Sequence, residues 1–423
     1  MMSLRILSSV PLFALLTGLL VSCSGASQPV QTPRPSASSE AAKLLDALAN
    51  QLDGLREQLA EARTQASAQP DQIPQPGATP TPRPSATPPL VHPCQRTPQD
   101  SDRDGLPDSC EQALAESFAP VVYHSSEESR FPTSVEAFLP QTILYFRDTD
   151  CDLNVRVLSA PTPEQLVAQT YPASCKSTVP VAADSTRSKD KQRSYYLADV
   201  AEEARAGSKD GKDWVTYVHA YPNNLNGATI QYWRFYAYEG KNHGGDWEAV
   251  HVVLDSQFKP VRLGLLGDSL SYVPWAEVSL EGSRPRVFVD PDIHTSRAKP
   301  DGISADGCKG IGGFFSCKLN PEKPETFVRH ETWTGGQISW FSGESGTGGG
   351  LLNVGERSTP LNGQLFIRYA GLWGSPGRIG ATSGEWGPAY NGIGMLSNGY
   401  LTAWATGMLN PRREEAYPLS VSP

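Results

Sequence analysis

Residues 242–251 read Asn-His-Gly-Gly-Asp-Trp-Glu-Ala-Val-His, and His243, Asp246 and Glu248 among them are of the types that hold a divalent cation or exchange a proton. The two glycines would let a turn deliver the imidazole, and the apolar run 250–254 that follows reads as a strand. If that strand begins at Asp246, positions 246 and 248 lie on one face. Two hard carboxylate donors and an imidazole meeting at one place suit magnesium or calcium, or a general acid and base. The bland reading is a glycine turn and a solvated strand end. Two further residues are placed to join the same rim. Glu239 ends the preceding apolar run, and His294 closes Asp-Pro-Asp-Ile-His after the run 286–289. By alternation His251 falls with Trp247 on the other face and reads as structural. His219, between Tyr217 and Tyr221, reads as a core histidine.

A second cluster lies upstream. Asp100, Asp102, Asp104, Asp108 and Glu111 fit the calcium-loop pattern D-x-D-x-D-G-x5-E, with Gly105 at the sharp turn. No helix pattern precedes the loop and Pro107 interrupts it, so it resembles the single loops of dockerin and thrombospondin type 3 repeats more than a full helix-loop-helix hand. The expectation is a calcium ion clipping the entrance of the domain, with a helix from 109 to about 118. The competing reading is an acidic turn held by a Cys94–Cys110 bridge.

The remaining elements follow from composition. The chain has 423 residues and a formal charge of -9, with no basic stripe, so nucleic acid is not an expected partner. Residues 1–22 read as a secretory signal ending in a lipobox, Leu-Val-Ser before Cys23. The expectation is a lipid-anchored protein of the bacterial cell envelope, held in the outer membrane through acyl chains on Cys23. Residues 23–91 form a Pro/Ser/Thr-rich tether. Within it, apolar residues at alternating spacings of four and three over 39–66 predict a short coiled coil and a homo-oligomer. Then come an entrance segment, 92–116, a large β domain, 117–410, and a disordered tail, 411–423. Apart from Cys23 there are six cysteines, which in an oxidising compartment suggest three local bridges, Cys94–Cys110, Cys151–Cys175 and Cys308–Cys317. Short β-branched and aromatic runs separated by Gly, Pro and Asn, without βαβ alternation, predict a mainly β chain, an antiparallel β-sandwich with long loops. Predicted strands include 214–221, 230–238, 249–254 and 365–369, and 195–206 is predicted as a helix.

Two motifs carry less. Gly267 to Ser271 spells the nucleophile motif of GDSL esterases, but no later histidine has an Asp three residues before it, and a serine without a base is a poor nucleophile. The glycine-rich stretch 346–350 lacks the Lys and Ser/Thr of a phosphate loop.

Several motifs occur together in a recognisable order: Phe-Ala-Pro-Val-Val-Tyr from 118, Pro-Thr-Ser-Val-Glu-Ala-Phe from 132, the HGGDWE stretch, Asn353 to Glu356, and Tyr-Ala-Gly-Leu-Trp-Gly from 369. They resemble the family of vacuolar protein sorting-associated protein 62, which implies a fold over roughly 117–390 and no settled activity. The HGGDWE stretch also resembles the G-H-R-H-D-W-E motif of the necrosis- and ethylene-inducing-like cytolysins. Those are β-sandwiches that bind a divalent cation and sphingolipid heads. On that resemblance His243, Asp246 and Glu248 fall on metal ligands, Glu239 is nearest to a fourth, and Gly245 replaces the motif's second histidine. The function expected is a non-enzymatic module that binds a surface glycan or lipid head group, with Trp275, Trp333 and Trp340 available to stack on sugars. A cytolysin-like membrane effector and a metal-dependent hydrolase using Asp246 or Glu248 are the alternatives.

Overall fold

The structure is a computed structural model that describes residues 94, 99–125, 128–172, 175, 180–184, 193–210, 213–240, 243–267, 270–300, 310–311, 314–315, 327–331, 350–377, 383–391 and 404–405. Cys23, the heptad seam at 39–66, the 411–423 tail, the Cys308–Cys317 pair, Ser269, Trp333 and Trp340 lie outside the described residues.

Helix α1 (Asp108–Phe118) leads into strand β1 (Val121–Ser125). Strands β2 (Ile143–Asp148), β3 (Leu153–Ser159) and β4 (Arg193–Ala198) form an antiparallel sheet with β2 in the middle. Next come β5 (Val215–Pro222), β6 (Ala228–Glu239), β7 (His243–Leu254), β8 (Pro260–Leu265) and β9 (Ser271–Pro274), each antiparallel to the one before. β10 (Arg284–Val289) pairs parallel to β1, β11 (Phe327–Glu331) pairs antiparallel to it, and β12 (Gly350–Asn353) joins β5 in parallel. The six-stranded sheet therefore runs β9-β8-β7-β6-β5-β12.

This sheet is covered on both faces, which explains its composition. One face carries Trp233, Phe235, Trp247 and Ala249 against Leu144, Phe146 and Tyr195 of the β2–β4 sheet, with Trp373 and Phe366 between. The other carries Val218, Ile230, Val250 and Val252 against Leu114 and Ala115 of α1 and Val287 of β10. All twelve positions of β7 are buried. A strand packed on both faces reads as a near-continuous apolar run, and Ala249 to Leu254 does so.

Three expectations change. Residues 193–198 form a strand and only Glu202–Ala204 a turn of 3-10 helix, because Tyr195 and Leu197 fill the core at the two-residue period of a sheet. Leu365–Arg368 is a 3-10 turn that presents Phe366 and Ile367 inward. Trp275 packs edge-on to Phe118 with ring centroids 6.1 Å apart, so it is half-buried against the core and not an open stacking platform. The helix of the entrance segment forms as expected, tied by the Cys94–Cys110 bridge, and Cys151–Cys175 is the second disulfide.

Candidate functional site

The β6–β7 hairpin places the rim. Its register sets Glu239 opposite His243, Tyr236 opposite Asp246 and Arg234 opposite Glu248. His243 is paired through Nε2 with Glu239 Oε2. Burial alone would lower the pKa of His243, but Glu239, Asp246 and Glu385 outweigh it and raise the ring to about 9. The loop after β10 folds back on the hairpin, with Gly240 N donating to Asp292 O at 2.8 Å, and this delivers His294. His294 Nδ1 lies 2.7 Å from Asp246 Oδ2 and its Nε2 3.9 Å from Glu128 Oε1. Its ring stacks on Tyr236 at 3.8 Å, and the Tyr236 hydroxyl reaches His124 Nε2 at 3.1 Å. Burial lowers the His294 pKa, against the upward pull of Glu128 and Glu239. Glu248 is fully buried, and burial, then Asp246 and Glu385, hold its carboxyl well above the usual range.

Gly245 explains the local geometry. Alternation alone would put His243 and Asp246 on opposite faces, but the backbone between them turns through φ +61° at Gly245. A Cβ there would stand 2.2 Å from the Trp373 carbonyl oxygen, so only glycine fits. The second histidine of the cytolysin motif could not occupy this position.

The sequence-predicted rim residues are thus near one another, but as two pairs, His243–Glu239 and His294–Asp246, with Glu248 coupled electrostatically to both acids. Their ligand atoms do not converge as closely as those of the upstream loop. Among the described residues, the triplet whose ligand atoms all lie within 4.8 Å of one another is Asp100, Asp102 and Asp104. The donor set at the rim nevertheless suits a divalent cation, since Glu248 Oε2 is buried and meets no hydrogen-bond donor.

The upstream loop is wrapped as its pattern requires. Asp100 accepts from Arg103 N at 2.6 Å and Gly105 N at 3.0 Å, and Asp104 accepts from Leu106 N. Asp108 turns aside, accepting from Ser101 N and Ser101 Oγ at 2.7 Å each. Burial first, then neighbouring carboxylates, raise Asp102 to about 8 and Asp104 to about 9, and hold Glu111 well above the usual range.

His219 and His251 lie off the rim. His219 faces Gln231 Oε1 and Glu356 Oε1, at 3.1 and 3.0 Å, and stacks on Trp404. His251 is fully buried in the face it shares with Trp247, and both its ring nitrogens lack a hydrogen-bond partner. Burial, then His219, lower its pKa to about 3.

Sequence reasoning missed Glu128, Arg234 and Glu385 at the rim, and Glu356 at the loop. Glu128, Glu385 and Glu356 come from segments far along the chain, Arg234 sits in the same hairpin opposite Glu248, and nothing in the local pattern marks any of them. Glu356 alone stood in a quoted motif, without a role.

No family model matches the sequence, and no curated protein matches it. Among solved structures, "NLPPya in complex with mannosamine" is 16% identical with a TM-score of 0.26, over 45% of this chain and 66% of that one. "NLPPya in complex with glucosamine" is 11% identical with a TM-score of 0.27, over 60% and 76%. The Necrosis and Ethylene inducing Protein 2 from the causal agent of cocoa's Witches Broom disease is 13% identical with a TM-score of 0.20, over 42% and 74%. These structures are necrosis- and ethylene-inducing proteins, and at this level of likeness they assign no site or activity here. The class the described residues define is a mainly β protein built on an antiparallel sandwich.

Proposed function

We propose that the domain is a non-enzymatic binding module of an exported, Cys23-anchored lipoprotein, and that it recognises a glycan or lipid head group through a divalent cation at the rim. His243, Asp246 and Glu248 would hold the ion, with Glu239 and His294 beside them. The observation that carries this reading is an imbalance of buried charge. Among the described residues, Glu128, Glu239, Asp246 and Glu248 are all buried; Arg234 stands opposite Glu248, the charge of Arg130 reaches His294, and of the imidazoles His243 and His294 burial pushes His294 towards neutral. Buried carboxylates without matching cations are costly, and a bound metal offsets that cost. A held cation supplies a concentrated positive charge for hydroxyl or phosphate oxygens. The protein's own part is to orient the acids: Tyr236 stacked on His294 fixes that ring against Asp246.

The chemistry of His243, Asp246 and Glu248 offers no hydroxyl or thiol for covalent catalysis, and turnover of an ester, phosphodiester and glycoside panel that is lost in Asp246→Asn would instead mark a metal-dependent hydrolase. The test is elemental analysis of the purified protein, wild type beside His243→Ala and Asp246→Asn, followed by a glycan and lipid array with and without EDTA. Wild type should carry one equivalent more of divalent metal than the variants, and array binding should vanish with EDTA. Binding that survives metal removal, or no binding, would reject the reading. Cation-dependent leakage of liposomes would instead mark a membrane-active effector.

A further inference from the structure

The upstream loop meets a part of the β domain that its motif does not contain. The strand-like hairpin Gly355–Glu356 with Thr359–Pro360 follows β12 and lies against the loop. Thr359 Oγ1 donates to the Asp102 carbonyl, and Asn353 Nδ2 donates to Glu111 Oε2 at 3.2 Å. These bonds pack the unit that carries Glu356 against the loop, where the ligand atoms of Asp100, Asp102 and Asp104 already lie within 4.8 Å of one another and those of Glu111 and Glu356 would turn in to join them. Its charge, after burial, raises Asp102, and it contributes likewise at Asp104 and Glu111.

What sets this place apart is its unmatched oxygen. Asp102 Oδ1 and Oδ2, Asp104 Oδ2, Glu111 Oε1 and Glu356 Oε2 are buried and accept no hydrogen bond among the described residues. Asp102 is 1% exposed, Glu111 0% and Glu356 4%, so bulk solvent does not reach them. Glu356 is the independent witness, since it lies 245 positions beyond Glu111 and belongs to no calcium-loop pattern. Its other oxygen is fixed, with Oε1 3.0 Å from His219 Nε2. That contact leaves Oε2 as the only oxygen Glu356 can give to an ion.

We propose that Glu356 is a ligand of a calcium ion held jointly by the entrance loop and the β domain. It supplies a direct ligand that the motif lacks at Asp108, a position that often reaches the ion only through water and whose carboxylate here braces the loop through Ser101. The ligand set is then Asp100, Asp102, Asp104, Glu111 and Glu356. An all-oxygen set with an excess of negative charge selects a hard cation of calcium size over zinc or copper. The ion is therefore a tertiary clasp. It ties the segment that follows the tether to the strand-and-hairpin unit 350–360, and through His219 to the middle of β5.

The test uses calcium alone as probe, titrated into the full-length protein by calorimetry and by terbium luminescence, for wild type, Glu356→Gln, Asp102→Asn and Asp108→Asn. Glu356→Gln and Asp102→Asn should each weaken calcium binding at least about tenfold, because charge count tunes such sites. Asp108→Asn should change it less than about threefold. Thermal unfolding in EDTA separates loss of a ligand from misfolding. There Glu356→Gln should be as stable as wild type or more so, since it removes a buried charge, while its calcium-induced rise in Tm shrinks. Failure of wild type to bind calcium would overturn the site. Unchanged binding by Glu356→Gln, with Asp108→Asn carrying the loss, would overturn the shared ligand and leave the motif alone.

Discussion

Lowering the pH should unfold this protein partly through one residue, His251. Its ring is fully buried, meets no hydrogen-bond partner on either nitrogen, and holds a pKa of about 3 because burial and His219 disfavour the imidazolium. The unfolded chain would have an ordinary histidine near pH 6.5. Between these two values the unfolded state binds a proton that the folded state refuses, so stability falls as pH falls through that window. The cost accumulates at about 1.4 kcal/mol per pH unit and reaches about 2.7 kcal/mol at pH 4.5. That is a large part of a typical domain stability of about 5–15 kcal/mol. Carboxylates titrate over the same range, so the effect must be read as a difference. Denaturant unfolding of wild type and His251→Leu from pH 7 to 4.5, with calcium in excess, should show the stability difference shifting in the variant's favour by about 2.7 kcal/mol. The variant replaces the ring with an apolar group of similar bulk. Curves that stay parallel would mean that the folded state accepts the proton, and the argument from burial would fail.

Two further outcomes test the packing. Gly245→Ala should cost more than about 2 kcal/mol, since it adds backbone strain to a clash with the Trp373 carbonyl. Gly282→Ala has a similar φ of +67° but open space around it, so it should cost only about 1 kcal/mol, and the two can be compared in one denaturation series. Trp373→Ala should cost about 3–5 kcal/mol by the same measurement, because the indole sits fully buried among Phe235, Trp247 and Phe366.

Much of the sheet could be read from residue patterns. The runs 214–221, 230–238 and 249–254 come out as neighbouring antiparallel strands because β-branched and aromatic side chains suit a pleated, buried surface. The run 195–206 was read as a helix, whereas Tyr195 and Leu197 answer to the core from a strand. At the rim, the types and their proximity were legible, and the pairing was not. His243 was expected in a turn and stands in the strand opposite Glu239, since the ladder runs on past Tyr236–Asp246 through Tyr238–Gly244 to Glu239–His243. His294 was placed by chain geometry beyond a strand end and reaches Asp246. Glu128 and Glu356 had no local signature, because their roles come from contacts across more than a hundred residues.

Strand β7 carries Asp246 and Glu248 while its two neighbours and both covering layers hold every position shut. Its amides should therefore be among the slowest to exchange with deuterium, opening only when the whole domain does. A ligand reaching the rim cannot rely on movement of that backbone. Adaptation has to come from side-chain rotation, so affinity would be set by a rigid floor.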